Sequence, residues 1–172
     1  MTDPAKPRIL ILESNGARID HVRALLTRQG WDVHCESVSK TALQRLEASK
    51  ARPFNLFISN FKLPKMEGDD IHKHAKMISP MTQRMLMVPA NEPDMVIRAI
   101  NKGGINSCLV YPFQDEDLIN QTKHCLAQFQ RSMRRQQLKR VTRHQNKQLC
   151  QIAQRMKKKG AKKLATIHQR GF

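Results

Sequence analysis

The sequence predicts an α/β fold: a doubly wound five-stranded parallel sheet followed by an extended C-terminal helix. Five short apolar runs are each bounded by turn residues, as expected for strands that are buried on both faces. Segments with apolar residues at helical spacing separate these runs, and such alternation is typical of a parallel sheet covered by helices. From Leu118 to Lys159 the chain has neither proline nor glycine, which favours one long helix.

Each element follows from its local pattern. The predicted strands are Arg8–Leu12, Trp31–Cys35, Phe54–Ser59, Arg84–Val88 and Cys108–Tyr111. The first helix is expected to end at Gly30, and Ser39 is the expected N-cap of the second, because a serine hydroxyl accepts a hydrogen bond from a free helix N–H group. The third helix precedes Pro80, and the fourth ends at Gly103 and Gly104. In this architecture ligands bind beyond the carboxyl ends of the strands, so any chemistry should lie there.

Charge is distributed unevenly along the 172 residues. The chain has 31 Lys and Arg against 14 Asp and Glu, a formal net charge of +17. Residues 118–172 hold 15 of the basic residues and no acid, so residues 1–117 net only +2. The sequence therefore predicts a nearly neutral domain with a basic extension.

Several classes of protein are excluded by composition. No stretch approaches 18 consecutive apolar residues, so we expect no transmembrane helix, and the polar N-terminus does not resemble a signal peptide. The four cysteines are widely spaced without a CxxC pair, which indicates reduced thiols of a cytoplasmic protein and no zinc site. Nucleotide-binding and common catalytic motifs are absent, so no cofactor, metal or catalytic residue is expected.

Four local motifs in the expected order resemble the response-regulator receiver domain, whose fold is flavodoxin/CheY-like. They are Ile9-Leu10-Ile11-Leu12-Glu13, Leu63-Pro64-Lys65-Met66-Glu67-Gly68, Asn101-Lys102-Gly103-Gly104 and Tyr111-Pro112-Phe113. The resemblance covers about residues 7–129. It implies a cis peptide bond before Pro112.

The resemblance also implies a phosphorylation pocket, and this chain departs from it at almost every position. In the family an aspartate accepts a phosphoryl group, two acids bind Mg²⁺, and a hydroxyl and a lysine complete the site. The corresponding residues are Asn60 for the acceptor, Glu13 and Ser14 for the acid pair, Pro89 for the hydroxyl, Tyr111 for the lysine and Cys108 for the aromatic switch residue. An amide cannot form an acyl phosphate, so we expect a degenerate, non-enzymatic pseudo-receiver. Its pocket either is purely structural or serves another ligand or a constitutive conformation.

Two smaller features have ordinary structural interpretations. His72 and His74 are two residues apart, do not share a helix face, and are predicted to be surface residues. Glu67, Asp69 and Asp70 form an acidic patch that complements the dipole at the start of the third helix.

The long helix divides the chain into a receiver-like domain (7–129), a basic helical extension (130–159) and a basic flexible tail (160–172), with Gly160 as the predicted helix end. Its apolar residues follow an imperfect heptad pattern with a stutter, which favours a coiled coil. The 13 residues from 160 are too few to form a domain of their own. The basic residues singled out are Arg131, Arg134, Arg135, Lys139, Arg140, Arg143, Lys147, Arg155, Lys157, Lys158, Lys159, Lys162 and Lys163.

These observations predict an atypical receiver that acts as a phosphorylation-independent interaction and dimerisation module. The homodimer is expected to use the helix Asp94–Lys102, the fifth strand and the C-terminal helix, because receivers resembling this one commonly dimerise there. The apolar residues of the long helix favour a helical partner independently of that resemblance. The alternative is a nucleic-acid-binding regulator of transcription or antitermination that uses the basic helix; an acidic protein or an anionic membrane could also bind it. A third hypothesis, an active phosphorelay receiver, conflicts with the pocket residues.

Overall fold

A computed structural model describes residues 6–102 and 104–169, and the side chains of this part as far as residue 159. The chain divides into two compact units, Met1–Ser132 and Met133–Phe172. The first contains the whole sheet. The described part of the second, residues 133–169, is helical.

The first unit is built from strands that alternate with helices. The strands are β1 (Arg8–Leu12), β2 (Asp32–Glu36), β3 (Leu56–Asn60), β4 (Gln83–Pro89) and β5 (Ser107–Tyr111). The helices are α1 (Gly16–Arg28), α2 (Ser39–Ala48), α3 (Gly68–Ile78), α4 (Pro93–Asn101) and α5 (Asp115–Gln169), of which α5 continues into the second unit. The predicted elements are all present, with ends that differ by a few residues.

The five strands form one parallel sheet in the order β2-β1-β3-β4-β5, which confirms the predicted fold class. The register pairs Leu12 of β1 with Ser59 of β3, and Pro89 of β4 with Tyr111 of β5. The residues that follow these pairs therefore lie side by side at the carboxyl edge of the sheet.

Alternate residues of each strand enter the core on opposite faces of the sheet. Ile9 and Ile11 pack with Val22 and Leu26 of α1 and with Leu118 of α5. On the other face the core joins β1 and β3 to α2 and α3 through Leu10, Leu12, Phe57, Ala42 and Ile71. A third apolar cluster joins β4 to α4 and to Phe61, the residue after β3, through Leu86, Val88 and Ala99. Helices thus cover both faces, as a parallel sheet requires.

Two predicted helix ends are wrong. Val38, and not Ser39, is the N-cap residue of α2, and its side chain makes no capping hydrogen bond; instead the Thr41 hydroxyl donates to the Val38 carbonyl at 2.8 Å. Helix α5 does not end at Gly160 but continues to Gln169. A glycine inside a helix costs only about 1 kcal/mol relative to alanine, and good helix formers flank this one. The predicted flexible tail is therefore helical as far as Gln169, and residues 170–172 lie outside the described part.

Candidate functional site

The candidate site lies at the carboxyl edge of the sheet, where β1 and β3 end side by side. Glu13 follows β1 and Asn60 is the last residue of β3. Both side chains are buried, with 1% and 3% of their surface exposed. A carboxylate this deeply buried needs compensating partners, because an unpaired charge in the interior is costly.

Glu13 has partners for both carboxylate oxygens. The Asn15 backbone N–H donates to Oε1 at 2.9 Å. The Asn60 side-chain amide donates to Oε2 at 2.9 Å, and the Arg18 guanidinium donates to the same oxygen at 2.9 Å. Asn60 therefore serves as a hydrogen-bond donor to an acid, while its own Oδ1 accepts from the Lys62 N–H at 3.3 Å.

Arg18 is the residue of this site that the sequence analysis missed. It lies in the first turn of α1, whose N-cap, Asn15, accepts the Arg18 backbone N–H at 3.0 Å. Its guanidinium carbon lies 4.4 Å from the centre of the Tyr111 ring, close enough for a cation–π contact. A cation near a helix N-terminus opposes the helix dipole, and that position was the available signal that Arg18 pairs with an acid.

The remaining predicted pocket residues are less closely associated with Glu13. Pro89 ends β4 beside Tyr111, and the next residue, Ala90, donates its N–H to the Tyr111 carbonyl at 2.9 Å. Ser14 is exposed. Cys108 packs against the apolar cluster below α4, and burial raises the pKa of its thiol. Through Arg18, then, the structure brings together Glu13, Asn60 and Tyr111. The Tyr111–Pro112 bond is cis, as predicted.

The residues present do not fit the Mg²⁺ that receivers resembling this one use. Mg²⁺ takes hard oxygen ligands in near-octahedral geometry, commonly from one or two carboxylates. This pocket offers one carboxylate, Glu13, and both of its oxygens already accept hydrogen bonds. A divalent cation at Glu13 would have to displace the positively charged Arg18 side chain.

A second cluster of charges joins α3 to α4. Asp69, 1% exposed, lies 3.0 Å from the Arg98 Nε and 2.8 Å from the Lys102 Nζ. Arg98 also pairs with Glu67, and its guanidinium lies over the Phe61 ring at 4.8 Å. The predicted acidic patch is therefore more than dipole complementation: it is an ion-pair network between two helices.

The pKa of Asp69 reflects this network. Burial by itself would raise it, but the close ammonium of Lys102 and the charge of Arg98 bring the pKa below the usual range of an aspartate. Asp69 is therefore ionised at neutral pH. Together with Glu67 and Asp70, Asp69 forms a group of three carboxylates that could suggest a metal site, but Arg98 and Lys102 supply the compensating positive charge.

The prediction that His72 is a surface residue is wrong. Its side chain is fully buried, Nε2 lies 2.9 Å from the Ser59 hydroxyl, and its ring packs on Phe57 with the centroids 5.0 Å apart. Burial, with the neighbouring charge of Arg84, lowers the pKa of His72 to about 3, so the ring is neutral. His74 is exposed, as predicted.

The basic residues of α5 form the other candidate surface. Those from Arg131 to Lys159 are all exposed. The side chains of Lys162 and Lys163 lie outside the described residues. In the described part of the chain, no helix is both long enough and apolar enough to cross a membrane.

The fold indicates the class of protein. The family model described as "Response regulator receiver domain" matches residues 9–123, which is more than half of the chain. The chain therefore belongs to the response-regulator receiver family of two-component signalling.

Two curated relatives have names from transcriptional regulation. The "Transcriptional regulatory protein CpxR homolog" of Haemophilus influenzae is 26% identical over 119 residues, which are 69% of this chain and 50% of that protein. The "Cell cycle transcriptional regulator CtrA" of Caulobacter vibrioides is 20% identical over 65% of this chain and 47% of that protein. The chain thus spans about half the length of the curated relatives it matches.

Solved structures agree on the fold. The signal receiver domain of an HD domain-containing protein from Pseudomonas fluorescens Pf-5 is 26% identical, with a TM-score of 0.71 over 78% of this chain and 97% of that one. A CheY-like receiver domain protein from Methanospirillum hungatei JF-1 is 22% identical, with a TM-score of 0.67 over 74% and 99%. A structure named for an adenylate cyclase from Rhodopirellula baltica is 20% identical, with a TM-score of 0.71 over 77% and 96%, and shares the fold.

Proposed function

We propose that this receiver is a pseudo-receiver, a protein-interaction module that works without phosphorylation and has no enzymatic activity. The observation that carries the proposal is the Glu13–Asn60–Arg18 contact set at the ends of β1 and β3. Where receivers resembling this one place an acceptor carboxylate and a metal ion, this chain has an amide and its own arginine.

The chemistry of the other positions supports the same proposal. An amide cannot form the acyl phosphate that the family mechanism requires. Tyr111 carries no positive charge with which to stabilise a phosphoryl group, and its ring faces the Arg18 cation. Because Glu13 is already paired, the contacts favour a structural pocket over one that serves a second ligand.

The test is incubation of the full chain with acetyl phosphate and Mg²⁺, followed by intact-mass spectrometry. We expect no mass gain, while a receiver with an intact aspartate, treated in parallel, gains a phosphoryl group. A hydroxylamine-sensitive phosphate on the chain would contradict the proposal and support the active-phosphorelay hypothesis.

We further propose that the module forms a homodimer through α4 and β5. Ile97 and Ile100, three residues apart on α4, are 59% and 60% exposed, and Val110 of the edge strand β5 is 44% exposed. Large exposed apolar side chains on one edge of a domain are typical of an interaction surface. The proposed division of the chain remains a receiver-like part (7–129) and a basic extension (130–159).

A nucleic-acid-binding regulator is the second candidate function, because the exposed residues from Arg131 to Lys159 include 11 Lys and Arg and no acid. Phosphate contacts by these side chains would give binding that weakens steeply with salt. Electrophoretic shifts with duplex DNA and RNA at two salt concentrations test this candidate. Binding insensitive to salt, or unchanged when Lys157, Lys158 and Lys159 become glutamine, would contradict it.

The proposal places the protein in the cytoplasm. Its four cysteines are all free, as expected in a reducing compartment.

A further inference from the structure

The second unit exposes a row of apolar side chains that nothing in the described part of the chain covers. Five residues of α5 have between 52% and 69% of their surface exposed: Leu138, Val141, Leu149, Ile152 and Met156. We call this row the α5 stripe. Exposing so many large apolar side chains on one helix is unfavourable unless another surface covers them.

The α5 stripe follows an 11-residue repeat. Leu138 and Leu149 are 11 residues apart, as are Val141 and Ile152, and Gln145 and Met156. Gln145 is thus the one polar residue at a repeat position between Leu138 and Met156, and it interrupts the apolar pattern between Val141 and Leu149. Eleven residues make three turns of about 3.67 residues each, close to the natural α-helical turn, so the stripe runs nearly along the helix axis for about 27 Å.

The width of the α5 stripe is that of a contact surface for a second helix. At about 100° per residue, the positions from Val141 round to Leu149 span an arc of about 80°, the width of a helix–helix seam. A helix that lies in a membrane surface needs a wider apolar face, commonly with aromatic residues, and the α5 stripe has a polar residue, Gln145, and no aromatic.

The charges beside the α5 stripe indicate the charge that a partner helix should have. From Arg134 to Lys159 the chain has ten Lys and Arg and no acid. By the same helical geometry, Lys139 and Lys157 lie on one side of the α5 stripe and Arg155 on the other. A second copy would place like charges on both sides of the seam, which is destabilising, whereas an acidic partner would place opposite charges there.

We propose that the α5 stripe binds an amphipathic helix of a partner protein, with an apolar seam of 11-residue repeat and Glu or Asp on both flanks. The stripe supplies the apolar contact, and the flanking cations supply specificity and fast association. This inference rests on the proposed function, since it names the partner chemistry of the interaction module. Nucleic acid would use the cations but leave the apolar residues exposed.

A synthetic acidic peptide tests the proposal on the full chain by fluorescence anisotropy. The peptide, of about 20 residues to match the length of the α5 stripe, carries leucine at the 11-residue positions and glutamate on the flanks. A peptide of the same composition in scrambled order is its control. We expect saturable 1:1 binding of the first, weakening with salt, and little binding of the second.

Two variants separate the apolar contact from simple charge attraction. Ile152→Glu places an acid in the stripe, and Gln154→Glu adds the same charge on the opposite side of the helix. We expect Ile152→Glu to weaken binding at least about tenfold and Gln154→Glu to leave it nearly unchanged. Both positions are exposed, and circular dichroism checks that both variants keep their helix content.

Four results would overturn the inference. Equal binding of the scrambled peptide, or equal loss in both variants, would mean charge attraction only. Tighter binding to duplex DNA, RNA or phosphatidylserine vesicles, competing with the peptide, would assign the surface to those partners. A dimer that Ile152→Glu converts to monomer would assign it to a second copy. Acetyl phosphate labelling would refute the proposed function and leave the peptide result to be judged separately.

Discussion

At the scale of single residues, the pocket depends on how a buried carboxylate is compensated. Glu13 has an amide donor from Asn60, a backbone donor from Asn15 and a cation from Arg18. The Arg18 guanidinium also lies over the Tyr111 ring, with its carbon 4.4 Å from the ring centre. Arg18 therefore neutralises a negative charge that receivers resembling this one neutralise with a metal ion.

Arg18→Gln should destabilise the protein. Removing the cation leaves the Glu13 carboxylate, 1% exposed, without its charged partner, so the free energy of unfolding should fall by about 1–3 kcal/mol. Urea unfolding measures this. The control is Arg23→Gln, whose partner Asp20 is two-thirds exposed, so the loss should stay within about 0.5 kcal/mol. Equal losses in the two variants would show that Arg18 is not needed to compensate Glu13.

At the scale of elements, α3 and α4 are joined through Asp69. The carboxylate at the start of α3 meets Arg98 and Lys102 at the end of α4, so each helix places its charge where the dipole of that helix favours it. Arg98 continues to the Phe61 ring, just beyond β3. This network ties α4, the proposed dimer helix, to the region that follows the pocket.

Asp69→Asn should cost about 1–2 kcal/mol of unfolding free energy at neutral pH, because two cations lose their buried partner. The pKa of Asp69 is lowered in the folded protein. Its contribution is therefore fully present above the unfolded pKa of about 3.9 and is lost as the pH falls through the lower folded value. Urea unfolding at several pH values should show the gap between wild type and variant narrowing below about pH 4.

The matched control is Asp70→Asn. Asp70 is 48% exposed, and its contact with Lys102 is longer, at 3.6 Å, so its loss should stay within about 0.5 kcal/mol. If the stability gap for Asp69→Asn does not depend on pH, the ion pairs do not stabilise the joint between α3 and α4.

At the scale of the whole molecule, the excess positive charge lies outside the receiver part of the chain. The receiver part holds the sheet, the pocket and the exposed apolar residues of α4 and β5. The positive charge belongs to the extension, where residues 118–172 contain no acid. The net charge of +17 therefore describes the extension more than the receiver.

Ile100→Glu should convert the proposed dimer to a monomer. A buried glutamate in an apolar dimer interface would be desolvated in both copies, whereas in the monomer it is in water. Multi-angle light scattering over a range of concentrations measures the mass. Val38→Glu is the control, because Val38 is similarly exposed, at 54%, but belongs to the segment before α2. A wild type that is monomeric at every concentration would refute the dimer.

The sequence was sufficient for the class of fold and for the edge of the sheet where the site lies. Short continuous apolar runs indicate the strands and apolar residues at helical spacing indicate the helices. The rules for parallel sheets then place Glu13, Asn60, Pro89 and Tyr111 at one edge. The sequence predicted the ends of helices less well than their presence. Ser39 is a common N-cap residue and Gly160 a common residue at a helix end, but Val38 is the N-cap of α2 and α5 continues past Gly160. A preference of about 1 kcal/mol is easily overridden by the residues around it.

What the sequence determined by itself is the order of elements, the absence of an aspartate at the end of β3, and the separation of a nearly neutral domain from a basic extension. These follow from periodicity and residue identity, which are local. Only the tertiary structure decided which charges meet. Glu13 and Asn60 are 47 residues apart, and Asp69 reaches Arg98 across two different helices. Such pairs, like the burial of His72, depend on side-chain distances that the fold alone creates.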